Sequence, residues 1–316
     1  MKRSIRRDLT LLVLLALGSM GCAGSPRAVV CVADAWVRET APAAAADDET
    51  PSAVNDRELH QRLLGAAIKM IDAQGVTDGA TLKKQLERQR CALALPGVAA
   101  QPAPGADAVT LYDRARRGVL VMAGVYKCPK CTNWHINTAS GFVLSGDGVA
   151  VTNYHVVNDD FKLIAAMTAD GRVVPVTEVL AADRSHDVAI IRLGGGGFAP
   201  LPLLAEAPIG SRVYVISHPA QEFYTFTAGM VSRHVRKADG SPRLAITADF
   251  ARGSSGGPVL NDRGQVVGMV AETETIYFNR PNSEIKDPQM VVKLCVPVSS
   301  VLALIDRDAK ADGDAR

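Results

Sequence analysis

The stretch Gly253-Ser254-Ser255-Gly256-Gly257-Pro258 runs directly into the apolar pair Val259-Leu260. Glycine on both sides of Ser255 permits positive φ values and close backbone approach, the conditions for a tight turn that exposes a serine Oγ. Pro258 then sets the exit of the chain into a strand. A serine that attacks a carbonyl needs such exposure, and it needs backbone N–H groups aimed at the oxygen that becomes negative. Glycine and serine are also ordinary turn residues, so the same six residues read equally as a hairpin loop without chemistry. A base and an orienting acid elsewhere in the chain have to decide between the two.

Outward from this turn the pattern is one of short strands. Val119–Tyr126, Phe142–Ser145, Val149–Thr152, Ala165–Thr168, Val173–Thr177 and Val188–Leu193 precede it. Arg212–Ile216, Tyr224–Ser232 and Leu244–Ala248 follow these, and Gln265–Ala271 and Met290–Val296 come after the turn. Gly, Pro and Asp punctuate them, and the strand-like period begins at about Leu111. Many short strands with almost no helix predict an all-β barrel or sandwich. Ser299–Ile305 reads as a closing helix, with a polar tail over 306–316. Gly194-Gly195-Gly196-Gly197 lacks the following Lys-Ser/Thr and helix of a phosphate cradle and is a loop.

Two residues supply the missing partners. His155 stands directly after the strand ending at Thr152, in Asn153-Tyr154-His155-Val156-Val157. An imidazole at a strand end suits proton transfer at neutral pH. Asp187 opens the apolar strand Val188–Leu193, where a carboxylate can hold an imidazole in the tautomer that accepts a serine proton. Asp183 is the competing acid and reads as a local turn contact. Ser255 is preferred over Ser254 because Gly256-Gly257-Pro258 follow it and Gly253 stands two before it. The N–H groups of Gly253 and Ser255 are the candidate oxyanion hole.

These blocks carry a resemblance. Ser140-Gly141-Phe142-Val143-Leu144-Ser145-Gly146-Asp147-Gly148, running into Thr152–Val157, is similar to the first half of a trypsin-like serine protease of the HtrA/Deg type. His186–Leu193 resembles that family's aspartate strand, and Gly253–Gly268 its nucleophile hairpin; Val215–Pro219 and Thr227–Ser232 fit the strands between. The resemblance covers about residues 111–305. It implies two six-stranded antiparallel β-barrels with the site in the cleft between them, and endopeptidase activity on protein or peptide substrates through an acyl-enzyme, without a cofactor. The segment beyond residue 305 is too short for the peptide-binding PDZ domain that many HtrA proteins carry, and Ser254 replaces the more usual Asn or Asp. A catalytically silent binding protein on the same fold and an esterase are the rival readings.

In trypsin-like folds the residues five or six before the nucleophile line the pocket for the side chain preceding the cut. Here these are Phe250 and Asp249, with Ala271 as a third pocket candidate. Asp249 at the base would favour Arg or Lys; Phe250 there would leave a shallow apolar pocket. Cys128-Pro129-Lys130-Cys131, followed by Trp134-His135, reads first as a disulfide. Zinc on Cys128, Cys131 and His135 is the alternative, with no fourth ligand in the local sequence. Cys31 and Cys91 would pair across the N-terminal region, and Cys295 reads as a buried free thiol.

Composition bounds the rest. The chain has 316 residues and a formal net charge of +2, with charges dispersed, which argues against a nucleic-acid surface. The Arg233–Lys237 cluster reads as a solvated hairpin tip. Lys2, Arg3, Arg6 and Arg7 followed by the apolar Leu11–Leu17 make residues 1–23 an export signal too short to span a bilayer. Ser19-Met20-Gly21-Cys22 resembles a bacterial lipobox, which would leave a lipidated Cys22 tethering the protein to a membrane; conventional signal peptidase cleavage is the alternative. Both place the mature protein in the periplasm or cell envelope, an oxidising compartment. Residues 24–55 form an Ala/Pro/Asp/Glu-rich linker. Asn55 with Glu58 predicts a capping box opening a helix, and Leu59, Leu63, Leu64, Ala67, Ile68 and Ile71 share one helical face. A second helix over about Ala80–Ala92 would complete a helical hairpin across residues 56–95, docked on the main domain or a partner, with a Pro/Gly linker over 96–110.

Overall fold

A computed structural model describes residues 53–93, 105–279 and 286–306, with only the backbone of Asn279 and Lys286. The export signal, Cys22, Cys31, nearly all of the first linker and the polar tail after Asp306 lie outside the described residues.

Helix α1 (Asp56–Ala73) begins where the capping box predicts: the Asn55 side chain accepts from the Glu58 N–H at 3.1 Å. Glu58 does not reciprocate to the cap backbone and pairs with Arg62. Helix α2 (Gly79–Gln85) is capped by Asp78, which accepts from the Thr81 N–H. The helix expected to reach Ala92 ends at Gln85, because the next residues bond to the first barrel. Gln85 Oε1 accepts the Val179 N–H and the Arg88 carbonyl accepts the Ala182 N–H at 2.6 Å. The chain then extends into β1 (Cys91–Ala92). Helix α3 (Ala108–Ala115), capped by Asp107, occupies residues that read as linker and as the onset of strand period.

The twelve strands that follow match the expected ones in order, Val259-Leu260 among them. β2 (Val119–Lys127), β3 (Trp134–Val143) and β4 (Val149–Thr152) lead to the short helix α4 (Tyr154–Val157). β5 (Leu163–Met167), β6 (Val173–Asp183) and β7 (Val188–Leu193) complete a closed antiparallel barrel in the order β2-β3-β4-β7-β6-β5. β8 (Arg212–Ser217), β9 (Thr225–Arg236), β10 (Pro242–Ile246), β11 (Pro258–Leu260), β12 (Val266–Asn279) and β13 (Lys286–Pro297) close a second barrel, β10-β13-β12-β11-β8-β9. The expected pair of six-stranded barrels is therefore present. Closure leaves neither sheet an unpaired edge. Arg233 to Arg236 belong to β9 rather than to the hairpin tip. The closing helix α5 (Val298–Leu302) is followed by β14 (Ile305–Asp306), which pairs in parallel with β1, Cys91 opposite Ile305.

Several strands run longer than their apolar cores predict. β3 starts at Trp134, eight residues earlier, because Trp134–Thr138 pair with Ala123–Lys127 whatever their own propensity. The helical segment docks on the first barrel. Leu63 and Ala67 share an apolar cluster with Val121, Val125 and Ile136, and Leu82 and Leu86 join Leu120, Met122 and Ile164. Asp56 also accepts the Phe223 N–H at 2.8 Å, so the start of α1 is tied to the second barrel. Among the described residues no helix is long and apolar enough to cross a membrane.

Candidate active site

Each barrel delivers part of one cleft. His155 sits in the single turn of α4, just beyond β4, and Ser255 in the turn that enters β11; both line the same cleft, with Gly253, Ala139 and Thr138. Asp187 occupies the residue before β7 at φ +61, a left-handed conformation that Asp tolerates better than most side chains. Its backbone is held there by Asn153, whose side-chain amide donates to the Asp187 carbonyl at 2.9 Å. The carboxylate faces His155 twice over: Oδ1 accepts the His155 backbone N–H at 3.1 Å, and Oδ2 lies 2.9 Å from Nδ1. A carboxylate can only accept, so Nδ1 carries a proton, and in the neutral ring Nε2 is then the lone pair. Asp183 does not compete. Its carboxylate accepts from the Ser185 and His186 backbone N–H groups and faces His186 Nδ1 at 2.7 Å, a local turn. Burial alone would raise the Asp183 carboxyl, but the Ser185 hydroxyl, which donates to it at 2.6 Å, and the bonds from His186 hold it below its ordinary value.

The nucleophile turn is fastened to both barrels. Gly256 has φ +88, and a Cβ there would lie 2.0 Å from the Ser140 carbonyl; Gly253 has φ +98, and a Cβ would lie 2.4 Å from the His218 carbonyl. Both positions demand glycine on conformation and on space. Ser140, fully buried on β3, donates its N–H to the Ser255 carbonyl at 2.8 Å and its Oγ to the Gly253 carbonyl at 3.0 Å. Thr152 Oγ1 in turn donates to the Ser140 carbonyl. Ser254 is fully buried, and its Oγ accepts from Ser217 at 2.9 Å. Its side chain thus braces the turn, a contact the sequence does not disclose.

The Arg252 carbonyl accepts the Ala220 N–H at 2.7 Å. Because the peptide is trans, the Gly253 N–H points the opposite way. Among the described residues neither the Gly253 nor the Ser255 N–H has an acceptor, so both remain available to an anion. Ser255 Oγ donates to the Ala271 carbonyl across 3.4 Å, a long bond, and is not bonded to His155 in this conformation. Ala271 falls at a register shift between Val270 and Glu272 in the β12–β13 ladder, which frees its carbonyl for Ser255.

The pocket residues part company. Phe250 is 5 % exposed and packs in the core of the second barrel. The Asp249 side chain is 87 % exposed and pairs with Lys293 at 3.6 Å. The Lys293 ammonium also donates to the Phe250 carbonyl at 2.5 Å and lies over the Phe250 ring. Neither Asp249 nor Phe250 lines the cleft wall shared by His155 and Ser255. Lys293, on β13, was not anticipated; strand pairing brings it against Phe250, 43 positions away.

His218 also escapes sequence reasoning as a structural element. It is fully buried between the barrels, with Nε2–H donating to the Leu120 carbonyl at 3.1 Å and Nδ1 accepting the Tyr224 N–H at 3.0 Å. Burial pushes its pKa down to about 3, so it is neutral. Cys295 is a buried free thiol as expected. Cys91 is free, its thiol against the Leu304 carbonyl; the pairing with Cys31 falls outside the described residues. Cys128 and Cys131, read first as a disulfide, carry free thiols in this structure, and Cys131 Sγ lies 3.1 Å from His135 Nε2.

The chain is similar in sequence to known proteins. Residues 139–269 match the family model of the trypsin-like peptidase domain. The chain is 31 % identical over 179 residues to a probable periplasmic serine endoprotease DegP-like protein of Ectopseudomonas mendocina, covering 55 % of this chain and 35 % of that protein. It is 30 % identical over 179 residues to the serine endoprotease DegS of Escherichia coli, covering 53 % and 49 % respectively. The matched region thus spans half or less of the length of these relatives.

Proposed function

We propose that this chain, which carries a trypsin-like peptidase domain, is an exported serine endopeptidase cutting protein or peptide substrates. The observation that carries the reading is His155, doubly held by Asp187, lining the same cleft as Ser255. Rotation of the Ser255 hydroxyl away from Ala271 toward His155 Nε2 starts the reaction; such bonds are often long before substrate binds. Ser255 Oγ attacks the peptide carbonyl carbon as its proton passes to Nε2, and the carbonyl oxygen becomes an oxyanion received by the Gly253 and Ser255 N–H groups. Imidazolium His155, stabilised by Asp187, returns the proton to the leaving amine and leaves an acyl-enzyme. Water then adds to the ester carbonyl, giving its proton to His155; collapse breaks the ester bond and that proton returns to Ser255. No cofactor takes part.

The Asp249 charge is offset by the Lys293 ammonium, so Arg or Lys before the cut should carry no advantage. The basic and apolar leader over residues 1–23 supports action in the periplasm or cell envelope, and lipidation of Cys22 would tether the enzyme to a membrane. Labelling of the mature protein by a fluorophosphonate, beside Ser255→Ala and His155→Ala, tests the triad. Labelling lost in both variants is the expected result. A parent that fails to label, both in full and when started near Ala106, would overturn the reading.

A further inference from the structure

The turn joining β2 to β3 holds a second cluster of reactive side chains, outside the cleft machinery. Cys128, Cys131 and His135 place two Sγ atoms and a ring nitrogen within 4.8 Å of one another. From this convergence we propose that the hairpin tip binds one zinc ion through Cys128, Cys131 and His135, with water in the fourth position.

Three features of the local structure build the site. First, the Cys-x-x-Cys spacing folds both sulfurs to one side of a tight turn: the Lys130 N–H donates to Cys128 Sγ at 3.4 Å, and the Cys128 N–H donates to the Asn133 carbonyl. Second, strand pairing sets His135 opposite Tyr126, and their rings stack with centroids 5.7 Å apart, which holds the imidazole plane. Its Nε2 then meets Cys131 Sγ at 3.1 Å. Third, the separations suit the metal. Tetrahedral zinc, with Zn–S about 2.3 Å and Zn–N about 2.0–2.1 Å, sets its donors roughly 3.5–4 Å apart. Closing the present cluster around an ion asks only for small side-chain rotations.

A disulfide would consume both sulfurs and leave His135 Nε2 without a partner. Zinc uses all three donors at once, and the mixed thiolate–imidazole set suits Zn²⁺ over the harder cations. Binding replaces the two thiol protons, which pass to the buffer, and the two thiolates balance the charge of the ion. Cys131 is exposed, so the ion can enter from solvent and the fourth position is open to water. The consequence reaches the cleft, since β3 continues from His135 through Ile136, Asn137, Thr138 and Ala139, all of which line it. An occupied site clamps the outer end of that wall.

Zinc content of the full mature chain, purified with zinc present and then dialysed, tests the proposal. One ion per chain is expected in the parent and in Cys91→Ser and Cys295→Ser. Cys128→Ser, Cys131→Ser and His135→Gln should each lose more than the roughly 10–100-fold in affinity that a missing outer-shell partner costs. Cobalt substitution should show thiolate-to-cobalt absorption in the parent that Cys131→Ser abolishes, and zinc should slow amide exchange over residues 134–139. The proposal is overturned if reduced, folded protein keeps no zinc after dialysis, or if zinc stays bound in all three variants. A Cys128–Cys131 disulfide forming quantitatively in the presence of zinc would also overturn it. None of these readouts depends on proteolysis, so they stand apart from the triad test.

Discussion

His218 should make the stability of this protein fall in mild acid. Its side chain is fully buried, neutral, and bonded on one side to the Leu120 carbonyl of the first barrel and on the other to the Tyr224 N–H of the second. The folded pKa of about 3 lies well below the roughly 6.5 of an exposed imidazole. As pH drops through 6.5 the unfolded chain takes up a proton that the folded one refuses, so stability present at neutral pH is lost progressively until about pH 3. The slope approaches about 1.4 kcal/mol per pH unit, which makes the loss about 2 kcal/mol by about pH 5. That is a large share of the 5–15 kcal/mol or so that holds a typical domain. Urea unfolding across this range, on the parent and on His218→Asn, isolates the effect, because carboxylate titrations common to both proteins cancel in the difference. The variant should be weaker at neutral pH, having lost hydrogen bonds worth about 1–3 kcal/mol. It should nevertheless lose less on acidification, so that the curves converge toward pH 5. Parallel curves would refute the argument, since they would mean that His218 binds a proton equally well in both states.

Asp187→Asn should leave the fold unchanged by circular dichroism and lower kcat by about 10⁴-fold, because an amide cannot fix the tautomer that keeps Nε2 free; a loss below about tenfold would show that another group orients His155. Gly256→Ala combines φ +88 with a Cβ 2.0 Å from the Ser140 carbonyl. It should cost at least about 1–3 kcal/mol in chemical denaturation and suppress fluorophosphonate labelling, and a variant as stable and reactive as the parent would contradict the clamp on the nucleophile turn. Glu272 accepts both Lys237 and the buried Arg243. Burial works to raise its carboxyl, yet those two cations hold it below its usual value, so Glu272→Gln should cost about 2 kcal/mol at neutral pH. That difference should shrink as pH falls through the lowered carboxyl range, and a pH-independent difference would refute the assignment.

Local physics made much of this molecule legible in one dimension. Asn55 caps α1 because a side-chain oxygen three residues from an amide N–H suffices, and Val188–Leu193 is a strand because its apolar run is buried on both sides. His155, Asp187 and the glycines around Ser255 were equally readable, since each requirement — a strand end, a turn, a positive φ — is written within a few neighbouring residues. The readings that changed are those that depend on distant parts of the chain. Helix α2 ends early because Gln85 and Arg88 bond to β6, about ninety residues away. β3 lengthens because β2 pairs with it.

The amino-acid order by itself therefore determined the all-β class, the succession of strands and the three residues proposed for catalysis. These follow from period-two burial, turn chemistry and side-chain reactivity, which act over short stretches. Tertiary structure alone decided that Lys293 offsets Asp249, that Ser140 and Ser217 hold the nucleophile turn, and that His218 is sealed between the barrels. It also decided that Ser255 rests on Ala271 and that His135 turns toward Cys131. Those outcomes hinge on which strands pair and in what register, and register is a property of the closed barrels as wholes rather than of any segment within them.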